Sequence, residues 1–132
     1  MSELLCHLFG DYIIQSDWMA TQKTERWWPA FMHGWTYTIP FLFLTTNMTA
    51  LLIICVSHII IDRFRLARYV VWLKNFLAPI RKSEVELWNP SFAECRATGY
   101  PPDRPTWLTV WLMIIADNTM HLTINHFALM LK

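Results

Sequence analysis

Apolar residues fill the chain in long blocks separated by short polar patches. The longest block lies between Arg26 and Asp62, where there is no Asp, Glu, Lys or Arg. A bilayer core of ~30 Å needs only about 20 apolar residues per helix, so this block predicts two helices, 29–46 and 47–64, turning at the small polar residues "TTNMT" of 45–49. A later block, 106–131, holds one formal charge, Asp117, and predicts a last helix. The opening block, 3–20, is more polar. His7, Asp11 and Gln15 recur there every four residues, which on a helix of 3.6 residues per turn keeps them on one stripe and leaves Leu4, Leu5, Leu8, Tyr12, Ile13 and Met19 for other faces. Residues 66–78 interleave Tyr69, Val70, Val71, Trp72 and Phe76 with Arg68 and Lys74, the pattern of an interfacial helix. From 79 to 105 the chain is polar and proline-rich, and reads as an exposed loop or small cap.

Composition turns this pattern into a fold class. With 55% hydrophobic and 16% charged residues, the chain is too apolar for an ordinary soluble domain. The expectation is an all-α, polytopic membrane protein: one domain over 1–132, built as a four-helix transmembrane bundle with the interfacial helix and polar loop before the last span. The first stretch lacks a basic leader and holds His7 and Asp11, so a cleaved signal peptide is not expected. Lys23 and Arg26 follow the first helix, and Arg63, Arg65, Arg68, Lys74, Arg81 and Lys82 follow the third. The positive-inside rule then places these loops in the cytoplasm, both termini outside, and the chain in the inner membrane as a multi-pass protein. A net charge of +1 without a dense basic face excludes nucleic acid as partner. Cys6, Cys55 and Cys95 are far apart without CxxC spacing, which points to reduced thiols.

The polar residues inside the apolar blocks carry the chemistry. His7 and Asp11, His58 and Asp62, and Asp117 and His121 are each an i, i+4 pair, placing both side chains on one helical face. A carboxylate in such a setting needs a partner, and imidazole with carboxylate is a common ligand set for zinc, manganese or iron. His7, Asp11, His58, Asp62, Asp117 and His121 are therefore candidate metal ligands. His33, beside Gly34 on the second helix, is a candidate general base or further ligand.

The stretches "HLFGDYIIQSDWMATQK" from His7, "HGWTYT" from His33, "HIIIDRFR" from His58 and "DNTMHL" from Asp117 resemble a family of short bacterial and phage membrane proteins catalogued as a domain of unknown function. The resemblance covers about residues 4–78 and 106–130. It implies the motifs His-x-x-Gly-Asp-x-x-x-Gln, His-x-x-x-Asp and Asp-x-x-x-His, similar in kind to membrane-bound metal-dependent hydrolases. A position often filled by Lys in that family is Arg65 here, and residues 81–105 look like an insertion.

The function expected is a membrane-embedded, metal-dependent hydrolase of a phosphoester, either a lipid head group or a nucleotide-like signal. Catalytic roles fall to His33, Asp11 and Asp117. Gln15 would orient a ligand, and Lys23 or Arg65 would receive phosphate. The expected partners are the lipid bilayer and a phospholipid or nucleotide substrate, and a homo-oligomer is compatible with the sequence. Two other classes fit the same residues: a proton or divalent-ion transporter or channel, and a phage-encoded membrane interaction protein without catalysis.

Overall fold

The structure, a computed structural model, describes residues 2–78, 80–81, 87–88 and 90–131. It divides into two compact units, Met1–Arg65 with Thr119–Lys132, and Leu66–Asn118.

The first unit opens with α1 (Glu3–Leu8), capped by the Ser2 side chain, which accepts from the Leu5 N–H. It continues as a π-helical turn over Phe9–Ile14. A π-turn takes up an extra residue, yet His7 and Asp11 still face each other, with Nδ1 3.5 Å from Oδ2. Gln15 is extended, and Ser16 caps a new helix, α2 (Asp17–Gln22), by accepting from the Met19 N–H. The single helix expected over 3–20 is thus three segments, and the Ser16-Asp17 capping pair is the sequence signal for the break.

α3 (Trp27–Thr38) tolerates Pro29 in its first turn and passes into a 3-10 segment, Ile39–Phe43. Pro40 explains the change, because it lacks the N–H that would continue the α-ladder and its ring clashes with the carbonyl one turn back. Asn47 then caps α4 (Met48–Phe64), its side chain accepting from the Thr49 and Ala50 N–H groups. The last helix, α6 (Thr106–Leu129), contributes its second half, from Thr119, to this unit.

Two glycines allow the close packing. A Cβ on Gly34 would lie 2.3 Å from Ile59 Cγ1, and one on Gly10 would lie 2.5 Å from Tyr37 Cδ2. Only the missing side chains let α3 approach α4 and the π-turn approach α3. Cys6, Tyr37, Phe41, Leu51, Ile54 and Ala128 form the apolar core. Beside it, His7, Asp11, His33, His58, Asp62, His121 and Asn125 are all buried, while Trp35, Phe43, Met48 and Phe127 are among the large apolar side chains left exposed.

The second unit holds α5 (Ala67–Leu77) and the first half of α6, with β1 (Ile80–Arg81) pairing antiparallel to β2 (Leu87–Trp88). Residues 90–105 form a cap of turns on α5. Phe92 stacks on Tyr69, Trp72 Nε1 donates to the Pro90 carbonyl, and Asn75 Nδ2 donates to the Gly99 carbonyl. Residues 79, 82–86 and 89 of the expected loop, and with them part of the insertion assigned to 81–105, lie outside the described residues.

Among the described residues no helix is long and apolar enough to cross a membrane. This overturns the four-span transmembrane bundle, the multi-pass inner-membrane placement and the topology derived from them. The physical causes differ by helix. The first block is broken at Gln15 and Ser16, the second at Pro40. α4 has 17 residues, or ~26 Å at the helical rise, against a hydrocarbon core of ~30 Å. α6 is longer, at 24 residues, but carries Asp117, Asn118, His121 and Asn125.

Candidate metal centre

The first unit directs four ligating groups from three segments to one point. Asp11 comes from the π-turn, His33 from α3, and His58 and Asp62 from consecutive turns of α4. His33 Nε2 lies 2.9 Å from His58 Nε2, 3.1 Å from Asp11 Oδ1 and 3.2 Å from Asp62 Oδ2. His58 Nε2 is in turn 3.3 Å from Asp11 Oδ1 and 3.2 Å from Asp62 Oδ2. These four buried residues could hold a metal ion. Separations near 3.2 Å suit a tetrahedron whose centre is ~2 Å from each vertex, the range of zinc–nitrogen and zinc–oxygen bonds.

Each carboxylate presents its second oxygen to another histidine. Asp11 Oδ2 lies 3.5 Å from His7 Nδ1, and Asp62 Oδ1 lies 3.3 Å from His121 Nε2. His121 Nδ1 also sits 3.1 Å from His58 Nδ1, and one proton arrangement satisfies the whole circuit. With a cation on His58 Nε2, the His58 proton is on Nδ1 and is donated to His121 Nδ1. His121 then carries its own proton on Nε2 and donates it to Asp62 Oδ1. His121 would thereby orient both an imidazole and a carboxylate of a bound ion.

Tyr37 completes the support. It stacks on His58 with ring centroids 3.6 Å apart and planes 14° apart. Its hydroxyl oxygen accepts from Asn125 Nδ2 at 2.6 Å and lies 2.9 Å from His7 Nδ1. Burial pushes the Tyr37 phenol up, with the charges of Asp11 and Asp62 adding to the rise, so it stays protonated. Burial alone would also raise the Asp11 carboxyl, but hydrogen bonds with His33 and His58 outweigh it and hold the group below the usual carboxylate range. For Asp62, too, burial is opposed by the electrostatic pull of His58 and by bonds with His121, His33 and His58, and the carboxyl ends well below its ordinary value. Both aspartates are therefore ionised, ready to ligate, and two buried carboxylates at one point require compensating positive charge. Among the described residues, the ammonium that reaches them is Lys23, whose Nζ lies 2.7 Å from Asp62 Oδ2 and 3.2 Å from His33 Nε2.

The remaining candidates fall outside the four-atom group. His7 and His121 adjoin it through the outer carboxylate oxygens. Asp117 precedes His121 by one turn on α6 and is half-buried, but belongs to the second unit. Gln15 ends the π-turn with its Oε1 buried and without a hydrogen-bond partner among the described residues. Arg65 is exposed at the C-cap of α4 in the left-handed region, φ 51°. Sequence reasoning does not single out Tyr37 or Asn125, although each stands four residues after a buried histidine, His33 and His121, and that spacing is the signal that finds them.

The profile of a family described as "Protein of unknown function (DUF3307)" matches residues 1–87. The chain belongs to this family. The match takes in the four convergent residues, Lys23 and Tyr37, and ends before Asp117, His121 and Asn125. No curated protein and no solved structure matches the chain.

Proposed function

We propose that Asp11, His33, His58 and Asp62 bind a divalent transition metal and that the bound ion serves hydrolysis of a phosphoester. The convergence of two imidazole nitrogens and two ionised carboxylate oxygens on one buried point carries the reading. A bound metal lowers the pKa of water and stabilises charge on phosphoryl oxygens. The mixed nitrogen and oxygen donor set suits zinc, manganese or iron. Neither Cys6 nor Cys55 belongs to the group of convergent ligand atoms. Carboxylate ligands can change denticity, and zinc sites expand to five-coordinate, so the four protein donors leave a route for water. The anionic substrate class rests on Lys23, whose side chain is 17% exposed beside an otherwise buried cluster. The lipid and nucleotide substrates expected from sequence are members of that class.

A second reading has one observation in its favour. The short Lys23–Asp62 contact supplies a cation of its own, so the cluster would also stand as a metal-free structural network. Elemental analysis of the purified protein and of its Asp11→Ala, His33→Ala and His58→Ala variants separates the two, together with phosphate release from phosphomonoesters and phosphodiesters. Stoichiometric metal in the parent protein, lost with activity in all three variants, is the expected result. Metal-free parent protein, with all three variants merely destabilised, would establish the structural network.

A further inference from the structure

Lys23 Nζ lies against two of the four groups that a metal would use, Asp62 Oδ2 at 2.7 Å and His33 Nε2 at 3.2 Å. His33 Nε2 either carries a proton for Asp11 Oδ1 at 3.1 Å or keeps a lone pair that accepts from the Lys23 ammonium at 3.2 Å. A metal on His33 uses that pair. Asp62 Oδ2 differs, because a carboxylate oxygen has lone pairs enough for both a metal and an ammonium. On the opposite side of the His33 ring, Nδ1 is buried with no hydrogen-bond partner among the described residues, so nothing there fixes which ring nitrogen holds the proton. Lys23 stands at the edge of the cluster, its side chain 17% exposed. It follows α2, its backbone N–H is bonded to the Met19 carbonyl at 2.9 Å, and its side chain reaches solvent.

Building on the metal-site reading, we propose that Lys23 is an internal competitor for the centre: metal loading displaces its ammonium from His33 and makes it the group that receives the substrate's anionic oxygen. Without metal, Lys23 neutralises the two carboxylates and holds the site together. With metal, a dication beside an ammonium is repulsive, and the flexible four-carbon stem lets the charge swing to the exposed side. Metal and anion are then bound in order, and linkage requires that whatever ties Lys23 down weakens metal binding by the same factor that metal loosens Lys23.

The test is acetylation of Lys23 by acetic anhydride, followed by mass spectrometry on the full chain, with and without zinc. Lys74, which donates to Tyr100 in the other unit, is the internal control. Zinc is expected to raise Lys23 labelling several-fold and leave Lys74 unchanged, and inorganic phosphate is expected to protect Lys23 only in the zinc-loaded protein. Zinc affinity of Lys23→Met should exceed that of the parent within the ~5–150-fold span of ordinary couplings. Tighter zinc binding by Lys23→Met without a change in Lys23 labelling would mean simple charge repulsion, and would overturn the displacement while leaving the metal site intact. Labelling that rises with zinc but is not protected by phosphate would overturn the anion-receiving role. Failure of the parent protein to bind zinc, manganese or iron at all would overturn both this inference and the metal-site reading.

Discussion

His121 shows most clearly how single atoms set the behaviour of the centre. In the proton arrangement that a cation on His58 would select, it accepts from His58 and donates to Asp62, which glutamine can imitate and leucine cannot. His121→Leu is therefore expected to lower zinc affinity by ~10–100-fold, with His121→Gln closer to the parent, as read by competition with a chromophoric chelator. Equal losses in both variants would show that ring packing, not hydrogen-bond direction, is what matters. The carboxylates predict an acid limit. Asp11 and Asp62 have folded-state values below those of the unfolded chain, so their contribution is fully present above the unfolded carboxylate value of ~3.9 and is lost as pH falls through the folded one. In chelator-treated protein, denaturant titrations below about pH 4 should show stability falling with pH, and less steeply in Asp11→Asn. Identical slopes would show that Asp11 is not held in its ionised form by the fold.

At the scale of elements, the centre depends on how closely α3 lies to α4. A methyl group on Gly34 would meet Ile59 inside contact distance, and overpacking of this kind costs ~1–3 kcal/mol. Gly34→Ala should lose stability and zinc affinity together, and Ile59→Ala should restore much of the affinity in the double variant by vacating the space. Additive losses would place the damage elsewhere than at the helix contact. Much of this was legible in the sequence. The i, i+4 spacing paired His58 with Asp62 correctly because α4 is continuous, and His33 stood beside the glycine that makes its helix contact. In the first block the spacing also paired His7 with Asp11 correctly, at 3.5 Å, but the single helix expected over 3–20 does not form, because the chain breaks at Gln15 and Ser16, and the π-turn before that break leaves no mark in the spacing.

For the molecule as a whole, the apolar residues that suggest membrane spans are divided in the first unit between the core of Cys6, Tyr37, Phe41, Leu51, Ile54 and Ala128 and an exposed set that includes Trp35, Phe43, Met48 and Phe127, with the polar cluster buried beside that core. A window average sees the apolar residues and passes over Pro40 and Ser16, each of which ends a helix short of the length a span requires. Asp117 stands one turn before His121 on α6, as its spacing in the sequence implies, and the boundary between the two compact units falls between them. The central claim is that Asp11, His33, His58 and Asp62 hold one metal ion, and X-ray absorption at the zinc edge of the reconstituted protein tests it most directly. The account predicts a first shell of nitrogen and oxygen alone at ~2.0–2.1 Å with multiple scattering from two imidazoles, and loss of one imidazole in His58→Ala. A sulfur shell at ~2.3 Å, or a spectrum unchanged by His58→Ala, would contradict it.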